Sequence, residues 1–331
     1  MSTAETPAAV TREAAPPRPA WQVMLVRPET MTLALLVLAI VVASQLSEFL
    51  LDINYILRSF TLYAEISIVA LVLTMIIIAG EIDLSAASNM ALSACLFAWL
   101  QQAGIPVPAA VVMALAAGLV MGLINGVMVL ALQLPSIIVT IGTLILYRGL
   151  AQVIAGDKSI RVPEWFTGIN TVFVLGVPVP VVIFVALSIV LALVLGTTVF
   201  GRQIYLVGTN EMAARYAGLR AKRIKMILFL AVGVVSAIAG LMTASRLGSV
   251  RYDLAAGGEL QMILMAMLGG TYIFGGRGTI LGTFLAAWLL VIVTSGMIVA
   301  NWLPAYQLCV LGILLIVSII ATNFIYSRTE R

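Results

Sequence analysis

The chain has 331 residues, of which 62% are apolar, only 10% are charged and none is histidine. Because a soluble domain carries about a quarter charged residues, so few charges exclude an ordinary water-soluble surface, and we expect the outside of the protein to contact lipid. The net charge is only +4, and the basic residues lie between apolar runs, a pattern that is typical of membrane topology signals rather than of a nucleic-acid-binding surface.

The first 28 residues differ in composition from the rest of the chain. They are rich in Ala, Pro and Thr, they include Glu5 and Glu13, and they contain no early apolar stretch. A cleavable signal peptide needs such a stretch. We therefore expect a disordered cytoplasmic tail over residues 1–28, followed by one transmembrane domain over residues 29–327.

Ten apolar runs follow the tail, most of them close to the roughly 20 residues that a helix needs to cross the hydrocarbon core. In chain order they are residues 31–47, 57–79, 84–100, 108–132, 136–155, 178–200, 226–247, 259–274, 279–300 and 304–326. This pattern predicts an all-α fold, a polytopic transmembrane helix bundle of about ten spans.

The longest polar interval, residues 201–225, carries six basic residues. They are Arg202, Arg215, Arg220, Lys222, Arg223 and Lys225. Because loops rich in Lys and Arg stay on the cytoplasmic side, we predict that this loop is cytoplasmic. Six spans before it and four after it place the N- and C-termini on that side as well.

The second apolar run contains a carboxylate, Glu65, away from its ends. An ionised side chain inside a membrane faces the bundle interior or a wet cavity and needs a partner. We consider Asn89, Asn125 and Arg148, which all lie in predicted helices, as partners. One interpretation is a polar pathway for a polyhydroxylated solute, and the other is a structural hydrogen bond between helices.

Two further carboxylates, Glu81 and Asp83, lie in the segment 79–85 between the second and third apolar runs. Asp83 is placed to cap the third helix, with Ser85 in its first turn. Alternatively, the segment lines the solute pathway or its cytoplasmic gate. The two interpretations are compatible.

Residues 208–218, inside the basic loop, have the pattern of a short capped helix. Thr209 or Asn210 can cap its start, Glu211 favours the positive end of the helix dipole, and Gly218 can end it in the left-handed conformation. An alanine-rich face could dock into a groove on a partner, or the helix could be an ordinary interfacial one.

The sequence offers no chemistry of its own for hydrolysing ATP. It contains no phosphate-binding loop of the G-x-x-x-x-G-K-[ST] type and no Gly-Lys dipeptide. Without histidine it also lacks the usual base for nucleophilic catalysis, and no metal-ligand cluster is evident. We therefore expect a subunit that is not an enzyme and that holds no cofactor, so that any ATP-driven transport uses a separate ATPase.

Three blocks of the sequence resemble the permease subunits of ribose-type ATP-binding cassette (ABC) sugar importers. They are residues 79–85 (AGEIDLS), residues 135–149 (PSIIVTIGT continuing to YRG), and the stretch from NE at 210–211 through ASRLGS at 244–249 to GGTYIFGGRG at 269–278. Glu81 stands where the family commonly has Gly, a variant similar to rhamnose-type importers. Asp253 and Leu254 are shared with autoinducer-2 importers.

The resemblance implies a permease in the bacterial inner membrane that translocates a monosaccharide, such as rhamnose or ribose, or autoinducer 2. It implies an ATPase subunit that carries ATP and Mg, a periplasmic sugar-binding protein, and a second permease copy or paralogue. It also implies that the ATPase contacts the helix in the basic loop, through Asn210, Glu211, Ala213, Ala214, Arg215 and Gly218. An ion-coupled secondary transporter that uses Glu65 as a proton relay remains a second hypothesis.

Overall fold

The computed structural model describes residues 28–168 and 172–329. The tail predicted over residues 1–28 lies outside these residues, apart from Pro28, with which the first helix begins. Within the described part most residues are α-helical, which confirms the predicted fold class. Four very short strands form two small antiparallel pairs outside the helices.

Six helices make up the first half of the chain. They are α1 (Pro28–Leu46), α2 (Ile53–Thr61), α3 (Ala64–Ile78), α4 (Ala86–Gln102), α5 (Val107–Leu130) and α6 (Ser136–Ala155). A short 3-10 helix, Glu48–Leu51, precedes α2.

The second half begins with short elements and continues with longer helices. They are β1 (Ile160–Arg161), α7 (Glu164–Thr167), β2 (Phe173–Val174), β3 (Val177–Pro178), α8 (Val179–Thr197), α9 (Val199–Thr209), α10 (Glu211–Tyr216), α11 (Ala221–Leu247), β4 (Ser249–Val250), α12 (Gly258–Leu268), α13 (Ile280–Val299) and α14 (Pro304–Thr329).

All ten predicted apolar runs contain a helix, but three of them differ from a simple span. The third run contains α4, which has only 17 residues. The second run is split, because α2 and α3 meet at an angle of 70°. The eighth run ends early, because α12 stops at Leu268 and residues 269–278 form a glycine-rich loop. Within the described residues, seven helices are long and apolar enough to cross a membrane, and the bent pair makes up to eight. The count of about ten spans stays a prediction.

The centre of the bundle consists of α3 and α4. Almost every residue of α3 is buried, and so are most residues of α4. A helix that is apolar on all sides belongs in the core of a large bundle. By contrast, α1, α5, α6, α8 and α14 expose many large apolar side chains, which suits helices whose outer faces contact lipid.

Glycines bring α5 and α11 into close contact. A Cβ atom at Gly122 would lie 2.4 Å from the carbonyl oxygen of Phe229, and one at Gly233 would lie 2.4 Å from that of Gly118. Small residues permit this approach where no hydrophobic force drives one helix against another in lipid. This contact places α11 beside the central helices and so positions its charged ends.

Contacts between loops define two ends of the bundle. At the end that we call the basic end, the amide of Gly276 donates to the carbonyl of Ile78, and the hydroxyl of Tyr205 donates to the carbonyl of Gly278. Because Tyr205 lies within residues 201–225 and Ile78 directly precedes residues 79–85, both segments lie beside residues 276–278. The carbonyl of Leu268 accepts a hydrogen bond from Thr32 at the start of α1.

At the opposite end, β1 pairs with β4 in antiparallel register. The hydroxyl of Ser245 donates to the carbonyl of Phe166, at 2.6 Å, and the ring of Phe166 packs against Phe97. The loops that follow α6 and α11 are thereby joined. Residues 160–161 and 164–167 therefore lie at the end of the bundle opposite residues 201–225.

Candidate coupling and pathway residues

The predicted capped helix at 208–218 is present as α10. The side chain of Asn210 accepts a hydrogen bond from the amide of Ala213 at 2.9 Å, so Asn210, rather than Thr209, is the cap. Ala214 is buried, and Gly218 has a φ of +83°, the left-handed conformation that glycine adopts without strain. Glu211 and Arg215 form an ion pair one turn apart.

The exposed face of α10 is partly apolar. Met212 is 68% exposed and Tyr216 is 86% exposed, and the two lie one helical turn apart. Because α10 lies within the basic interval 201–225 rather than on an apolar span, we expect these side chains to face water in the isolated subunit. Exposed aromatic and methionine side chains of this kind mark protein interfaces.

A buried lysine joins α10 to the segment 79–85. The Nζ atom of Lys225 donates to Glu81 Oε1 at 2.6 Å and to Glu211 Oε2 at 2.5 Å, and Lys225 is only 5% exposed. Burial alone would raise the pKa of Glu211, but Lys225, together with Arg215, brings that pKa below its ordinary value. Glu81 and Glu211, predicted for different roles, therefore share one cation.

A cavity of about 380 Å³ opens beside this cluster. Its polar walls come from the charged residues just described and from the start of α6. The lining residues are Glu81, Val129, Leu130, Gln133, Leu134, Pro135, Ser136, Glu211, Arg215 and Lys225.

Asp83 lies at the centre of a buried hydrogen-bonded cluster. Its Oδ1 atom accepts from both the amide and the hydroxyl of Ser85, at 2.9 and 2.7 Å. The amide nitrogen of Asn125 donates to Ser85 Oγ at 2.7 Å and to Asp83 Oδ2 at 3.3 Å. The hydroxyl of Tyr147 reaches Asn125 Oδ1 at 3.4 Å and the carbonyl of Met121 at 3.0 Å.

The prediction that Asp83 caps the third helix is therefore wrong in detail. The residue at the cap position of α4 is Ser85, and Asp83 precedes it by two residues. Asp83 instead holds Ser85 in place from within the loop, because its carboxylate faces the amide of Ser85 and the side chain of Asn125. The segment is also bonded to α6, where Ser136 Oγ accepts from the amide of Ile82 and Thr140 Oγ1 donates to its carbonyl.

Asn89 lies at the crossing of three helices. Its amide nitrogen donates to the carbonyls of Gly118 on α5, at 3.4 Å, and of Gly233 on α11, at 3.3 Å. Its oxygen accepts from Ser93 one turn later. This side chain therefore bridges the close contact between α5 and α11.

Glu65 differs from its predicted setting in two respects. The bend between α2 and α3 places it in the first turn of α3 rather than in the middle of a span. Its Oε1 atom accepts from Nε of Arg246 at 2.8 Å, and Glu65 is 1% exposed. This ion-pair partner, Arg246, was not among the predicted Asn89, Asn125 and Arg148.

Arg148 donates hydrogen bonds to a loop, not to Glu65 as predicted. Its Nη1 atom donates to the carbonyls of Tyr252 and Leu254, at 3.0 and 2.6 Å. Both carbonyls belong to the connection between β4 and α12. Arg148 and the Glu65–Arg246 pair therefore both secure the opposite end of the bundle.

The six predicted pathway residues consequently lie in three places. Glu65 and Arg148 are at the opposite end, and Glu81 is at the basic end beside α10. Asp83, Asn89 and Asn125 lie between them, buried among the central helices. Their role in solute passage stays a prediction.

Lys225 and Arg246 were not predicted as site residues, although both carry a sequence signal. Each is a basic residue near one end of the apolar run 226–247. A charge at the end of a membrane helix has either water or a partner to satisfy it, and here both side chains have carboxylate partners. Within the described residues, no group of three or more Cys, Asp or Glu side chains is placed to hold a metal ion.

Comparison with known proteins identifies the family. Residues 55–319 match the family described as the branched-chain amino acid transport system / permease component. The autoinducer 2 import system permease protein LsrD of Enterobacter sp. (strain 638) is 37% identical over 81% of this chain and 84% of its own length. The LsrD proteins of Escherichia coli K12 and Shigella flexneri are each 34% identical over 90% of this chain and 92% of theirs.

No solved structure matches the chain. The family match nevertheless covers most of the sequence, and the permease relatives align with it over most of both lengths. The apolar helices, the resemblance of three sequence blocks and these matches agree. The chain therefore belongs to the family of multi-pass membrane permeases of ABC importers.

Proposed function

We propose that this permease moves a small polyhydroxylated solute into the cell, driven by a separate ATPase that docks on α10. The observation that carries the proposal is the position of α10. It exposes Met212 and Tyr216 outward, while Glu211 on the same helix is linked through Lys225 to the segment 79–85. A partner that moves α10 therefore pulls on a segment that enters the centre of the bundle.

The solute that the relatives favour is autoinducer 2, because their names describe autoinducer 2 import. Rhamnose and ribose are the next candidates, since the three resembling blocks point to monosaccharide importers. Buried polar groups at the centre suit such solutes, which exchange hydrogen bonds with water for bonds with the protein. Asp83, Asn125 and Tyr147 are the groups that a rearranged bundle would offer.

The proposed complex has three components besides this chain. An ATPase subunit binds ATP and Mg at the basic end, which faces the cytoplasm in this proposal. A periplasmic binding protein delivers the solute to the opposite end of the bundle. A second copy of the permease, or a paralogue, completes the pathway within the inner membrane. Alternating access then consists of rocking helices that open one end while closing the other.

The ion-coupled alternative based on Glu65 receives no support from the structure. The carboxylate is bonded to Arg246, and this ion pair joins α3 to α11, which gives Glu65 a structural role. Membership of the ABC permease family also favours a separate ATPase as the energy source.

The docking surface is tested with a double substitution, Met212→Ser with Tyr216→Ser. Both side chains are exposed, so the bundle should fold normally while the ATPase is lost during purification of the complex. Reversing the charges of Glu211 and Arg215 together should likewise uncouple transport. Tyr306→Ser is the matched control, because Tyr306 is 59% exposed at the start of α14, away from α10. Full recovery of the ATPase with the double variant would refute docking on this helix.

A further inference from the structure

We propose that Lys225 is the positioning residue through which movement of α10 reaches the segment 79–85, so that ATP hydrolysis and solute movement stay coupled. The inference rests on the proposed function and adds a residue to it. Lys225 lies in the first turns of α11, and its ammonium contacts one carboxylate from each of the two segments.

The burial of this cluster distinguishes it from a surface ion pair and favours movement of its three side chains as one unit. Lys225 is buried, and the side chain of Glu81 is also largely buried, whereas the side chain of Glu211 is about one-third exposed. Ion pairs in water are worth little, but a buried charge that loses its partner is costly. Separation of either carboxylate from Lys225 is therefore unfavourable, and the three groups should move together.

From Glu81 the connection continues into the centre of the bundle. Glu81 lies two residues from Asp83, whose carboxylate is bonded to Ser85 and Asn125. Asn125 in turn contacts the hydroxyl of Tyr147 on α6. Short contacts between fixed polar groups therefore lead from α10 to the helices α5 and α6.

The packing around the cluster makes this connection stiff. A Cβ atom at Gly208, just before α10, would lie 1.7 Å from the carbonyl oxygen of Ile78, just before Glu81. The backbones of the two segments thus already touch. Beside this backbone contact, the ion pairs of Lys225 form a second connection between the segments. A single substitution can remove these ion pairs without forcing the backbones apart.

A purely structural role predicts a different result from a coupling role. If Lys225 only neutralised two carboxylates, Lys225→Met would lower the stability or the amount of complex, and solute movement would fall in step with ATP hydrolysis. If Lys225 couples the two segments, the variant should still hydrolyse ATP while moving less solute for each ATP consumed. The ratio of these two rates separates the roles.

The experiment uses the complete complex, with its ATPase and binding protein, in lipid vesicles. We expect Lys225→Met to lower the solute moved per ATP by about tenfold, a change within the range that single residues exert on coupling between sites. Lys225→Arg keeps the charge and should restore most of the ratio. Lys222→Met is the control, because Lys222 is an exposed basic residue near the start of the same helix.

A double substitution adds a test of the route. If coupling passes from Glu211 through Lys225 to Glu81, adding Glu81→Gln to Lys225→Met should have little further effect, because the link is already broken. Hydrogen exchange of the isolated permease in detergent provides a measurement that does not need assembly. Exchange in residues 79–85 and 210–218 should rise in Lys225→Met and stay unchanged in Lys222→Met.

The outcomes distinguish this inference from the proposed function. If the wild-type complex fails to transport with ATP, the proposed function fails, and the inference fails with it. If the wild type transports but Lys225→Met keeps the normal ratio of solute to ATP, only the coupling role of Lys225 is overturned, whether or not its hydrogen exchange rises. A lowered ratio with rescue by Lys225→Arg supports both.

Discussion

The guanidinium of Arg246 and the carboxylate of Glu65 meet at 2.8 Å, although 181 residues separate them in the sequence. The pair joins the last turn of α11 to the first turn of α3, directly after the bend that separates α3 from α2. The bend between α2 and α3 leaves the start of α3 inside the bundle, and the ion pair between Glu65 and Arg246 secures that start. The opposite end is thus held by charge where regular helix packing is interrupted.

Breaking this pair should destabilise the isolated permease. We expect Arg246→Met to lower the free energy of unfolding by about 2–3 kcal/mol, somewhat less than for a fully buried pair because Arg246 is partly exposed. Glu65→Gln with Arg246→Gln should cost less than Arg246→Met alone, since neither side chain is then charged. Thermal unfolding in detergent measures both. Equal losses for the single and double variants would contradict the assignment.

The cluster around Asp83 predicts a strong dependence on the amide of Asn125. In Asn125→Leu, Ser85 and Asp83 lose a donor, and an unsatisfied buried polar group costs about 1–3 kcal/mol. Asn125→Asp should be worse, because it places a second carboxylate beside Asp83. Unfolding temperatures of the two variants in the same detergent give the comparison, and a milder effect for Asn125→Asp would show that the bonds described here do not hold the cluster.

Close packing of α5 against α11 predicts different costs for two glycine substitutions. Gly122→Ala places a methyl group 2.4 Å from a backbone carbonyl, so we expect a loss of about 1–3 kcal/mol from overpacking. Gly142→Ala is the matched control on α6, because no other group lies within 4 Å of the added methyl. It should be neutral or slightly stabilising, since alanine favours helices. Comparable losses for both would place the helix contact elsewhere.

The lowered pKa of Glu211 gives the α10 cluster a defined pH dependence. A carboxylate whose pKa is depressed on folding stabilises the folded state above its ordinary value of 4.5, and that contribution is lost as the pH falls through the lowered pKa. Glu211→Gln cannot titrate. The wild type should therefore unfold at a higher temperature than Glu211→Gln near neutral pH, and the difference should shrink below pH 4.5 and disappear once the pH is below the lowered pKa. A constant difference down to strongly acidic pH would argue against the ion pairs.

Much of this architecture follows from local sequence, and the exceptions have a physical cause. The apolar runs predicted the helices, and the pattern from Asn210 to Gly218 predicted a capped helix, because hydropathy and capping act over a few residues. The partners of Glu65 and Glu81 depend on which distant helices pack together. The bonds from Lys225 to Glu81 and from Arg246 to Glu65 span 144 and 181 residues.

The early end of α12 and the bend before α3 were missed for a related reason. Hydropathy reports that a segment avoids water, but not whether its backbone continues as a helix. Residues 269–274 are apolar enough to have extended the predicted run, yet the loop 269–278 has positive φ angles at Gly270, Gly275 and Gly276 and packs against the basic end. A glycine count within the run is the signal that would have shortened the predicted helix.

The most direct test is ATP-dependent uptake by vesicles that contain this permease with and without its ATPase and binding protein. The account predicts that the purified chain needs detergent, hydrolyses no ATP alone, and carries labelled autoinducer 2 or a monosaccharide only in the complete complex with ATP and Mg. Solute uptake by the permease alone, or ATP hydrolysis without the partner, would contradict the central claim that this bundle provides the passage while another polypeptide provides the energy.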